Sequence, residues 1–69
     1  MNEQDTVALM IDLPDNGLKI GHVGTIVEIL DDGVYEVEFA DLNGDTDAMV
    51  TLKVEQLMVL RYEPIDKAG

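Results

Sequence analysis

The chain has 69 residues, and fifteen acids against four bases give a formal net charge of −11 at pH 7. It contains no cysteine and no serine, which excludes disulfide stapling, thiolate-bound zinc and nucleophilic triads built on Cys or Ser. Gripping a nucleic-acid backbone needs cations to displace its counterions, and only Lys19, Lys53, Arg61 and Lys67 are available, far apart in sequence.

Apolar residues make up 46% of the chain, so it is expected to fold as one domain over residues 1–69 rather than stay disordered. A chain this short buries only about 60% of its unfolded surface, so the core must be economical. The opening MNEQDTVALM has acids where a secretion signal would have Lys or Arg. No apolar run approaches the roughly 20 residues of a membrane span. A cytoplasmic protein is expected.

In chain order the pattern is one of short strands divided by turn chemistry. Thr6 to Ile11 alternates Val7, Leu9 and Ile11 with Ala8 and Met10, a half-buried strand. DLPDNG stops it, because Pro14 cannot donate to a ladder and Asp15-Asn16-Gly17 favours a turn. Val23 to Leu30 is the second strand, ended by the hairpin signal Asp31-Asp32-Gly33. In Val34 to Ala40, Tyr35, Val37 and Phe39 point to the core and Glu36 and Glu38 to water. Asn43-Gly44 turns the chain into Thr46 to Lys53, where Ala48, Val50 and Leu52 share the core face. VEQL is long enough for one helical turn. Met58 to Tyr62 is the fifth strand, and residues 63–69 form a flexible tail. Together these predict an all-β fold: a small, five-stranded, strongly bent antiparallel barrel over about residues 5–62. It would be of the Src homology 3-like class, with one helical turn before the last strand.

Candidate chemistry is sparse. His22 has no Cys or Ser to activate, and Glu36 and Glu38 lie on a hydrated strand face rather than in a cleft, so no catalytic residue is assigned and no enzyme is expected. Asp41, Asn43, Asp45 and Asp47 alternate as in a calcium loop. Counted from Asp41, however, Gly44 falls at the fourth position and Leu52 at the twelfth, where an EF-hand needs other residues. No metal and no cofactor are therefore assigned. Once each strand has one face given to the core, Met10, Ile26, Leu30, Met49 and Met58 or Leu60 remain over, and methionine suits adaptable binding surfaces.

The expected function is thus an acidic protein-interaction module without enzymatic activity. Glu36, Glu38 and Asp47, with Met10, Ile26, Met49 and Met58, would meet a basic protein partner or a second copy. An antitoxin- or inhibitor-like subunit is one form of this.

Gly17, Gly21 and Gly24 lead into a β-branched strand in G-x-x-x-G-x-x-G-T-I. That stretch resembles the KOW element of ribosomal and transcription-elongation proteins, which implies as an alternative a module on ribosome, RNA or transcription machinery, acting through Lys19 and the Gly17–Gly24 loop. Within the loop, Lys19 and His22 are the candidate residues for any role beyond shape. A longer likeness runs over about residues 7–60. Asp12-Leu13-Pro14, Gly17-Leu18-Lys19, Gly21, Gly24, Tyr35 to Phe39, Thr51-Leu52 and Gln56 resemble the pattern of a family of short bacterial proteins catalogued as domain of unknown function 4926. His22 stands where that pattern has Asp. The likeness implies the same small β fold and no particular activity.

Overall fold

The computed structural model describes residues 1–40 and 47–61, with Asp47 described through its backbone alone. The expected turn at Asn43-Gly44, all of the Asp41 to Asp47 stretch except that backbone, and the segment from residue 62 onward lie outside the described residues.

Five antiparallel strands form one sheet: β1 (Thr6–Leu9), β2 (Val23–Asp31), β3 (Val34–Ala40), β4 (Asp47–Lys53) and β5 (Leu57–Leu60). Their order across the sheet is β4-β3-β2-β1-β5. The three central strands make a meander, while the chain returns past it so that β5 pairs with β1. Among the described residues β4 and β5 are the two edges and do not pair with each other, so the pairing does not close the sheet into the expected barrel.

β1 ends at Leu9, earlier than the alternation predicts: the Met10 N–H still reaches Gln56 O at 2.9 Å, and the chain bends over Met10 and Ile11. The expected helical turn is a 3-10 turn over Val54–Gln56. The Gln56 side chain folds back to accept the Lys53 backbone N–H at 2.8 Å, half of a capping box. β5 starts one residue early, at Leu57, and that residue is buried.

Cross-strand partners share a face, so the registers sort the side chains. One face carries Val7 with Val59, Leu9 with Leu57, the row Ile26–Val37–Val50, Tyr35 with Leu52, and Phe39 with Ala48. This is the core, and Leu18 joins it from the loop after β1. The expected inward residues of the third and fourth strands are all found here, fully or partly buried.

β2 departs from simple alternation. Its register against β3 shifts between Ile26 and Glu28 and again between Ile29 and Asp31. A strand with a strict period of two would put Ile26 and Glu28 on the same face. The inserted residue lets Ile26 point inward and Glu28 outward. Ile26 is consequently fully buried, and its place among the exposed candidates is corrected: it is core.

The two-residue turn between β2 and β3 requires φ of +75° at its second position, which Gly33 supplies without strain. Its carbonyl accepts the Val54 N–H at 2.9 Å, tying this hairpin to the 3-10 turn before β5.

Candidate functional site

The face opposite the core is the largest surface the sequence leaves for function. The registers build it in rows, one of them Asp31–Val34–Lys53 at the β2–β3 hairpin end. Leu60, Thr6, Thr25, Glu38 and Met49 stand side by side across all five strands. Beside them run Met58–Ala8–Val23 and Glu28–Glu36–Thr51. At a strand spacing of about 4.8 Å this face is roughly 19 Å wide.

The rows divide the face into two halves. Over β5, β1 and the start of β2 it is apolar, with Met58, Leu60 and Val23 exposed, and Met10 exposed just beyond the end of β1. Over β2 and β3 it is acidic, and β4 borders it with Met49, Thr51 and the cation Lys53. Glu28 stands directly opposite Glu36, with Glu38 two residues further along the same face of β3. Glu36 is held by the Thr51 hydroxyl, which donates to its Oε1 at 2.8 Å. Met49 lies at the margin of the acidic half, beside Glu38.

Of the expected site residues, Glu36, Glu38, Met49 and Met58 therefore share one surface, and Met10 lies near its apolar end. Asp47 pairs with Ala40 at the end of β4. Leu30 is exposed at the second register shift of β2. Glu28 and Val23 were missed. Glu28 reaches this face only through the shift after Ile26, which nothing in VGTIVEIL announces. Val23 is the first residue of its strand, where burial cannot be read from alternation.

Lys19 and His22 lie apart, in the loop between β1 and β2. Leu13 and Leu18 pair across the 3-10 turn Pro14–Asn16 and staple the loop's base. Asp12 Oδ1 accepts the Ile20 backbone N–H at 2.9 Å, and the Gly21 N–H reaches Leu9 O at 2.9 Å. The backbone N–H of Lys19 lies 2.9 Å from His22 Nδ1, and the Lys19 carbonyl lies 3.3 Å from the same nitrogen; the shorter contact favours Nδ1 as acceptor, with the ring hydrogen on Nε2. A carboxylate could accept the same bond, so His22 acts here as the acceptor that closes a turn. Nitrogen NMR of the imidazole is expected to show the Nε2–H tautomer. A dominant Nδ1–H form would contradict this arrangement.

An open depression of about 340 Å³ lies beside this loop, lined by Asp12, Pro14, Gly17, Leu18 and Lys19. Among the described residues lining it, the polar side chains are Asp12, already used by Ile20, and Lys19. Such a lining lacks the converging polar groups that orient a small ligand. Among the described residues, no three His, Asp or Glu side chains gather as a metal-ligand set. None of the described helical turns is long and apolar enough to cross a membrane.

Most residues that carry the family likeness have a structural task in this geometry. Asp12, Leu13, Leu18 and Gly21 shape the loop, Gly24 lies against Phe39, and Gln56 caps the last turn. Neither the curated proteins nor the solved structures contain a match to this chain. Residues 3–59 match the family described as Domain of unknown function (DUF4926), and the chain belongs to that family.

Proposed function

We propose that this protein is a cytoplasmic binding module without catalytic activity, whose outer sheet face docks on a basic protein as an inhibitor- or antitoxin-like subunit. The observation that carries this reading is the pairing of Glu28 with Glu36 in adjacent strands, with Glu38 beside them. Like charges placed directly opposite one another destabilise a sheet. The Glu28–Glu36 juxtaposition works against the fold, whereas a cationic partner would neutralise all three carboxylates at once. The apolar half with Met58, Val23, Leu60 and Met10 adds the adaptable, desolvating contact that acidic groups alone cannot supply.

The strand order, the long loop after β1 and the 3-10 turn before β5 support a finer reading of the fold as a coiled, Src homology 3-like sheet. In such a fold the outer face is convex and open to a partner.

Pull-down from the source organism tests the function. A partner rich in Lys and Arg is expected to be recovered at low salt and released at about 0.5 M, where charge contacts are screened. Recovery of no partner, or of one indifferent to salt, would contradict the reading. The alternative, an RNA- or ribosome-associated module acting through Lys19, requires a gel shift with RNA at low salt. None is expected here, because Lys19 stands alone in its loop.

A further inference from the structure

The two edges of the sheet differ. β5 is four residues long, too short to template much pairing. β4 has seven residues, pairs with β3 in unbroken register from Val34↔Lys53 to Ala40↔Asp47, and contains neither proline nor a bulge. Among the described residues, nothing pairs with its other side. Its charges stand only at its ends, Asp47 first and Lys53 last, around the uncharged run Ala48 to Leu52. Natural sheets usually protect an edge of this kind.

We infer that β4 pairs with β4 of a second copy of this chain, antiparallel and two-fold symmetric about Val50. The sequence DAMVTLK complements itself in that register. Asp47 stands opposite Lys53 of the second copy, and Lys53 opposite its Asp47, so both ends close with opposite charges. Between them, Ala48 meets Leu52, Met49 meets Thr51 and Val50 meets Val50. Every pair joins residues of the same face, because the register sum is even and side chains alternate with a period of two. The half-buried Val50, at the margin of each core, becomes covered by its symmetry mate. The result is one continuous ten-stranded sheet, twice the observed five. An isologous contact of this sort closes after two copies and does not propagate. The outer faces of the two copies lie on the same side, so each dimer presents its acidic surface twice. The inference does not depend on the proposed partner.

A charge-swap series read by light scattering across roughly 10 µM to 1 mM tests it. The wild-type chain is expected to approach twice its monomer mass. Lys53→Asp or Asp47→Lys alone places like charges at both ends and is expected to weaken association roughly tenfold or more. The combined Asp47→Lys, Lys53→Asp variant restores both pairs and is expected to dimerise again, which also shows that neither substitution prevents folding. Concentration-dependent hydrogen-exchange protection of the β4 amides is expected alongside. A wild-type chain that stays monomeric throughout, a dimer unmoved by either single substitution, or a combined variant that fails to recover would each overturn the inference.

Discussion

Gly24→Ala is expected to lower the thermal midpoint by about 10–20 °C, from an overpacking cost of about 2–3 kcal/mol in so small a domain. The reason is space rather than backbone freedom. A Cβ at position 24 would lie 2.7 Å from the carbonyl oxygen of Glu38 and 2.7 Å from Cδ1 of Phe39, separations that real side chains do not show. Phe39 is one of the largest fully buried side chains, and its ring occupies the room that Gly24 leaves open. Trimming the ring relieves only part of the conflict, since the carbonyl remains. Phe39→Leu should therefore be less damaging in the Gly24→Ala background than in the wild type, a positive coupling in a double-mutant cycle. Circular-dichroism melts of the four proteins decide the matter. A Gly24→Ala midpoint within a couple of degrees of wild type would contradict this packing.

The second large effect concerns the outer face and has opposite signs for stability and for binding. Glu28→Lys with Glu38→Lys puts a cation opposite Glu36 in place of a like charge and keeps the Thr51 bond to Glu36, which is expected to stabilise the sheet by about 0.2–1 kcal/mol. The same pair of substitutions is expected to weaken binding of the salt-sensitive partner roughly 100-fold, because two attractive contacts become repulsive. A variant that melts higher and binds less shows that the acids serve the partner rather than the fold. A variant that melts lower and binds normally would assign them a structural role. Isothermal titration calorimetry and a melt on the same sample give both readings.

Much of the fold was legible in the residues, for identifiable reasons. VYEVEFA announces its two faces because Tyr, Val and Phe alternate strictly with Glu, and the structure keeps that alternation unbroken. The 3-10 turn follows from a short segment ending in Gln56, whose side chain reaches back to cap it. β2 was harder. VGTIVEIL offers apolar residues at odd and even positions alike, so either face satisfies a period of two. The shifts that decide between them arise from pairing with β3, a non-local event. For the same reason Ile26 was assigned to the surface, although it is fully buried, and Glu28 was overlooked. Closure of the sheet was another step too far. Strand count and turn positions suggest a barrel, but whether the edge strands meet depends on coil and twist, which short local patterns do not encode. The loop before β2 is instructive in a different way. Its glycines invite comparison with nucleic-acid modules, yet Leu18 packs into the core and the Lys19–His22 turn is closed by its own backbone and imidazole. Its shape is thus explained without a ligand.

The central claim is that the outer sheet face, acidic over β2 and β3 and apolar over β5 and β1, is the docking surface. Amide NMR of the labelled protein titrated with its captured partner tests this most directly. The expected perturbations centre on Glu28, Glu36, Glu38, Thr25 and Met58, fade in about 0.5 M salt, and spare the loop around Lys19 and His22. Perturbations confined to that loop, with the outer face unchanged, would contradict the account.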